Sequence, residues 1–237
     1  EQGEDSGAAA LDEGRVMRLI TAFTVALALA GAAFAAPPLP QRLHDTGLYV
    51  PGTTTVHADV LPFAPQYPLW SDGTTKLRWI QLPAGTAIDA ARPDAWEFPV
   101  GTRLWKEFSF GRRVETRYNE RLADGSWRFA TYLWNAEGTE AQLVPEDGTV
   151  AAVTGAPRGR YSVPSRNDCL ACHEGPAVPV LGFSALQLSS DRDPLAPHAD
   201  PARDRRVPDS ILRTHQTQSV GWHPYARLAK RLGMPAL

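Results

Sequence analysis

No 3.6-residue apolar period is sustained between Tyr67 and Val163. The chain there is a series of runs rich in β-branched and aromatic residues, separated by Gly, Pro, Asp and Asn. The clearest run, Thr75–Leu82, stops at Pro83-Ala84-Gly85, and a second, Arg103–Phe110, is entered through Pro99-Val100-Gly101 and closed by Gly111. Val114–Leu122 and Ser126–Trp134 flank Ala123-Asp124-Gly125, which reads as a hairpin turn. Shorter strands are predicted at Ala141–Val144, Thr149–Val153 and Tyr161–Val163. No helix of crossover length lies between these runs, so they predict a mainly β fold, an antiparallel β-sandwich or partial barrel.

The pattern changes at either end. From Met17 the chain reads Arg18, an apolar run from Leu19 to about Ala30, then Ala33-Phe34-Ala35, the order of a secretory signal peptide with cleavage after Ala35. A retained anchor is the competing reading, since Leu19 to Ala36 is about the minimum length for a bilayer span. The many Ala residues, Gly31 and Pro37-Pro38 favour cleavage, which leaves no stable membrane span. Residues 1–16 read as an upstream extension of the reading frame, with Met17 as the start. Beyond Val163 a short, loop-rich, partly helical segment is expected. After Ser190 the stretch DRDPLAPHADPARDRRVPDS is rich in Pro, Arg and Asp and reads as loop or disorder, and a helix is predicted over Pro224–Leu232 with Gly233 at its end. The expected organisation is therefore 1–35 removed on export, 36–163 β-rich, and 164–237 carrying the chemistry described next.

Composition alters little. A chain of 237 residues, 43% apolar, can bury a sizeable core. Residues 1–35 hold two basic and five acidic side chains, so the rest of the chain has 22 basic and 21 acidic ones. That balance gives no bulk attraction to nucleic acid or an anionic membrane. Six of the seven Trp (70, 79, 96, 105, 127, 134) lie in the β-region. Large aromatics alternating along strands face a core, a better reading than a ligand-stacking surface. Lys76, Arg78, Lys106 and Glu107 then fall on the solvated face.

The two cysteines are too close together to staple a fold, so they are present for chemistry. Cys169-Leu170-Ala171-Cys172-His173 is a C-x-x-C-H sequence, the attachment signature of c-type haem. On a turn of helix, positions i, i+3 and i+4 share a face, so both sulfurs and the imidazole can address one porphyrin. The thiols would add across the two vinyl groups, and His173 would supply the proximal iron nitrogen. Asp168 or Ser165 caps that turn. The outer nitrogen of His173 calls for a backbone carbonyl, with Pro176 and Pro179 the nearest rigid sources. A redox dithiol usually sits in a βαβ context, and a zinc site would need further ligands from elsewhere. Together with the export signal, the motif implies one covalent haem c on Cys169, Cys172 and His173.

The longer pattern resembles a poorly characterised group of exported bacterial c-type cytochromes, in which a β-rich region leads into the haem segment. The matching stretches are YPLWSDGTTKLRWIQLPAGT (67–86), FPVGTRLWKEFSF (98–110), ETR (115–117), WRFATYLWN (127–135) and SRNDCLACHEGPAVPVLGFSALQLS (165–189), about half the chain. Members of the group often continue to a second C-x-x-C-H segment, which this chain lacks. The resemblance implies a periplasmic or otherwise exported protein.

Met234, 61 residues beyond His173, is the foremost candidate for the distal iron ligand. His198, His215 and His223 compete with it, His44 and His57 could reach from the β-region, and an open site is the remaining option. The expected function is one-electron transfer to a redox partner protein. One alternative is a haem enzyme, a peroxidase or oxidase subunit, with an open distal face. Another is a ligand-binding β module with a sensing or structural haem. No Ser/His/Asp arrangement, phosphate-cradling Gly loop or H-E-x-x-H motif supports hydrolysis or phosphoryl transfer.

Overall fold

The alternating runs fold as antiparallel strands. A computed structural model describes residues 36–184 except 66, 69, 70, 93, 94 and 175–178, together with 187, 188 and the backbone at 212 and 213. Its strands are β1 (Leu61–Pro62), β2 (Thr75–Gln81), β3 (Ile88–Asp89), β4 (Arg103–Phe110), β5 (Arg112–Arg121), β6 (Trp127–Trp134), β7 (Ala141–Leu143), β8 (Thr149–Ala152), β9 (Arg160–Val163) and β10 (Leu212–Arg213). Six form one open antiparallel sheet in the order β1-β2-β4-β5-β6-β7, while β8 pairs with β9 and β10 runs parallel to β3. One α-helix, α1 (Arg166–His173), follows β9 among the described residues. The fold is mainly β and the sheet is not closed. The described residues from Pro38 onward belong to one compact unit.

The seven expected strands are all present, with ends shifted by one or two residues. The β5–β6 hairpin turns at Ala123-Asp124-Gly125, where the Gly125 amide bonds to the Leu122 carbonyl and Gly125 takes φ +82°. The leader, Trp70, the helix expected at Pro224–Leu232 and the loop from Ser190 lie outside the described residues.

Register sorts the side chains onto two faces, because neighbours along a strand point opposite ways. Trp79 pairs with Trp105, Trp105 with Tyr118 and Tyr118 with Ala130. This row crosses four strands and packs with Tyr132 and Trp134 under Leu43, Leu48, Tyr49 and Val60 of the N-terminal segment. Trp105 is 1% exposed and donates its indole N–H to the Thr46 hydroxyl at 2.9 Å. The other face is covered in two places. Ile80 and Leu104 pack beneath Phe63, Trp96, Phe98, Val180 and Phe183, and Val114 packs with Val144, Tyr161 and Val163.

Trp79, Trp96, Trp105 and Trp134 are buried and Trp127 is half-buried and packed against the core, so they form no ligand-stacking surface. The expectation for the charged positions is corrected. Glu107 is buried at 4% exposure on the aromatic face, where Arg113 pairs with its carboxylate at 3.3 Å. Lys76, Arg78 and Lys106 are half-buried on the opposite face. Period two separates two faces of a strand but cannot show that both are covered.

Candidate functional site

Three sequence features build α1. Pro164 ends β9, Ser165 adopts extended geometry as N-cap, and Asp168 completes a capping box. The Asp168 amide donates to Ser165 Oγ at 3.1 Å, and the Ser165 amide donates to Asp168 Oδ2 at 2.9 Å. Both expected caps are therefore used at once. The Ser165 hydroxyl also donates to Asp168 Oδ2 at 2.8 Å, and the hydroxyl and amide bonds to the carboxylate hold the Asp168 pKa below its usual range. The entry is also held from outside, since the Arg166 amide bonds to the Glu146 carbonyl at 2.8 Å.

The helix lies against β6. Burial pushes the Cys169 thiol up, partly offset by nearby Arg117 and by a hydrogen bond with the Thr131 side chain. Cys172 is exposed, and neither cysteine is in a disulfide. His173 packs against Phe129 in a tilted arrangement, with ring centroids 4.8 Å apart. Its Nδ1 contacts the carbonyl oxygen of Pro179. A carbonyl only accepts, so Nδ1 carries the proton and Nε2 is left as the ring's ligand nitrogen. Pro176, the other expected source, lies outside the described residues. Burial holds the His173 ring below the ordinary histidine range, which favours the neutral form that ligates metals.

His173 opens on a cavity of about 280 Å³ whose floor is the middle of the sheet. Here the sequence reading missed a cluster. Arg78 pairs in register with Lys106, Lys106 with Arg117 and Arg117 with Thr131, one row across four strands. Arg117 has a partner, Glu115, at 2.7 Å. Burial, with Arg78, Arg117 and Lys76 close by, pushes Lys106 down to about 7, and burial pushes Arg78 down to about 10. The available signal was the basic residues at alternate positions 76 and 78, 106 and 117, which only strand pairing brings together.

The three motif residues share a helix but not one cavity. Cys169 lines a separate cleft of about 150 Å³ beside Thr131 and Pro164. Among the described residues no group of three or more His, Cys, Asp or Glu side chains could hold a metal ion. Two unpaired thiols one turn apart stand on the same helix as an imidazole oriented through Nδ1. His44 and His57 do not reach this site. His44 contacts Tyr49 and Trp134 on the aromatic face, and His57 lines the same cleft as His44. Met234, His198, His215 and His223 lie outside the described residues.

No family model, curated protein or solved structure matches this chain. Among the described residues no helix is long and apolar enough to cross a membrane.

Proposed function

We propose that this chain is an exported carrier of one haem c, joined through Cys169 and Cys172 and ligated by His173, which passes single electrons to a redox partner protein. The observation that carries the reading is the bond from His173 Nδ1 to the Pro179 carbonyl, within a C-x-x-C-H turn whose two thiols are unpaired. Metal-ligating histidines are oriented in this way by their outer nitrogen. Bound there, the haem would supply a one-electron iron couple. The protein's own part is to hold the imidazole: Phe129 supports the ring face, the Pro179 carbonyl selects the tautomer, and the Ser165–Asp168 box anchors the helix start.

The test is a pyridine haemochrome measurement on the full chain made in cells with haem-attachment machinery. One haem per chain is expected, resistant to acid–acetone extraction. Joint Cys169→Ala and Cys172→Ala substitution should abolish it, and an unchanged haem yield would overturn the reading. A carrier further requires a low-spin spectrum that cyanide and carbon monoxide leave unaltered. A high-spin spectrum that shifts with either would make the protein a haem enzyme with an open distal face.

A further inference from the structure

Directly opposed residues on neighbouring antiparallel strands have Cβ atoms about 5 Å apart, and like charges so placed repel. Arg78, Lys106 and Arg117 occupy three such positions in succession. Only Arg117 has an ion-pair partner among the described residues, Glu115, so the row keeps an excess of positive charge beneath a cavity. Water is partly excluded: Arg78 and Lys106 are half-buried, and Phe63, Leu104 and Val180 line the same space. The rows on either side are composed differently. The row toward β1 holds Ile80, Leu104, Asn119 and Phe129, and Phe108 pairs with Lys76 and Glu115 on the other side. The cavity that His173 lines reaches Arg78, Lys106 and Arg117 together, with Lys76 in the row beside them.

We infer that Arg78, Lys106 and Arg117 form a carboxylate-binding site beside His173. Charge and shape both point there. The Arg78 fork, the Lys106 ammonium and the part of the Arg117 guanidinium that Glu115 leaves free suit carboxylates across three strands, and in a partly dehydrated cavity the attraction is stronger than at an exposed surface. The carboxylates come either from the propionate arms of the porphyrin or from a free dicarboxylate. In the first case the inference rests on the haem reading, and in the second it stands without it.

The test uses the full exported chain as isolated. Where haem is attached, resonance Raman spectra report the propionate bending mode, whose frequency rises with hydrogen bonding. If the porphyrin supplies the carboxylates, Arg78→Gln with Lys106→Gln moves this band to lower frequency, while Arg78→Lys leaves it near its parental position. If the ligand is free, succinate binds the parent in a calorimetric titration and binds the double variant at least tenfold more weakly. Either result supports the site. A stationary Raman band, together with succinate binding that is absent or equal in the two chains, overturns it. Far-UV circular dichroism checks folding, and Lys106→Gln alone replaces the double variant if the latter is unfolded. A parent chain without covalent haem would overturn the haem reading separately, and the succinate titration would then decide the carboxylate site.

Discussion

His173 and Pro179 are joined ring to backbone, Nδ1 to carbonyl oxygen, across six residues of chain. The contact sets the tautomer, while the Phe129 ring, inclined at 41° to the imidazole, limits where the ring can turn. Phe129 is 8% exposed, so truncating it removes both a core side chain and the support of the ligand. Phe129→Ala is expected to lower unfolding free energy by about 3 kcal/mol. Urea unfolding followed by Trp fluorescence measures the loss.

The capping box makes a smaller and more local contribution. Ser165→Ala removes the oxygen that accepts from the Asp168 amide and should cost about 1 kcal/mol. Urea midpoints for parent and variant, compared at equal slope, measure it.

Gly148 sets the approach of the loop before β8 to the start of α1. It has φ +74°, and a Cβ there would lie 2.6 Å from the Val163 carbonyl oxygen and 2.7 Å from the Ser165 nitrogen. Both neighbours are backbone, so neither can rotate away. Gly148→Ala is expected to cost at least about 2 kcal/mol through left-handed strain and this clash, read as a lowered thermal midpoint.

Buried carboxylates make stability depend on pH in a direction that can be stated. Burial holds the Glu107 pKa above its usual range, against the pull of Arg113 and the Tyr49 hydroxyl. Folding then takes up protons between the unfolded pKa, about 4.3, and the raised folded value. Over that window stability falls as pH rises, and above it the loss is complete. Glu107→Gln removes this contribution. Denaturation at a series of pH values should therefore show the parent losing stability relative to the variant from about pH 4 upward.

Much of the backbone was legible because its signals are local. Thr75–Gln81 and Arg103–Phe110 are bounded by Gly and Pro, and the Ala123-Asp124-Gly125 turn specifies its own hairpin. The helix start and its capping box were equally readable, since Ser165, Asp168 and the C-x-x-C-H run lie within nine residues. The short strands β1 and β3 have two residues each and owe their form to the strands they meet, so no sequence period marks them. Glu107 was misassigned for a related reason. Its neighbour Trp105 announces a core, but only Tyr49 and Arg113, distant in sequence or on another strand, explain a carboxylate inside it.

The sequence alone determined the strands, the hairpin, the helix start and the placement of Cys169, Cys172 and His173 on one helix, because each depends on residues a few positions apart. The tertiary structure decided which side of the sheet each strand residue faces and what covers it. Trp79 and Arg78 are neighbours in the chain, yet one joins the aromatic row beneath Leu43 and Leu48 and the other the basic row beside His173. The second face is closed by Val180 and Phe183, about a hundred residues beyond β2. Pairing across strands is a long-range property, and it turned one lysine and two arginines, scattered in sequence, into one cationic row.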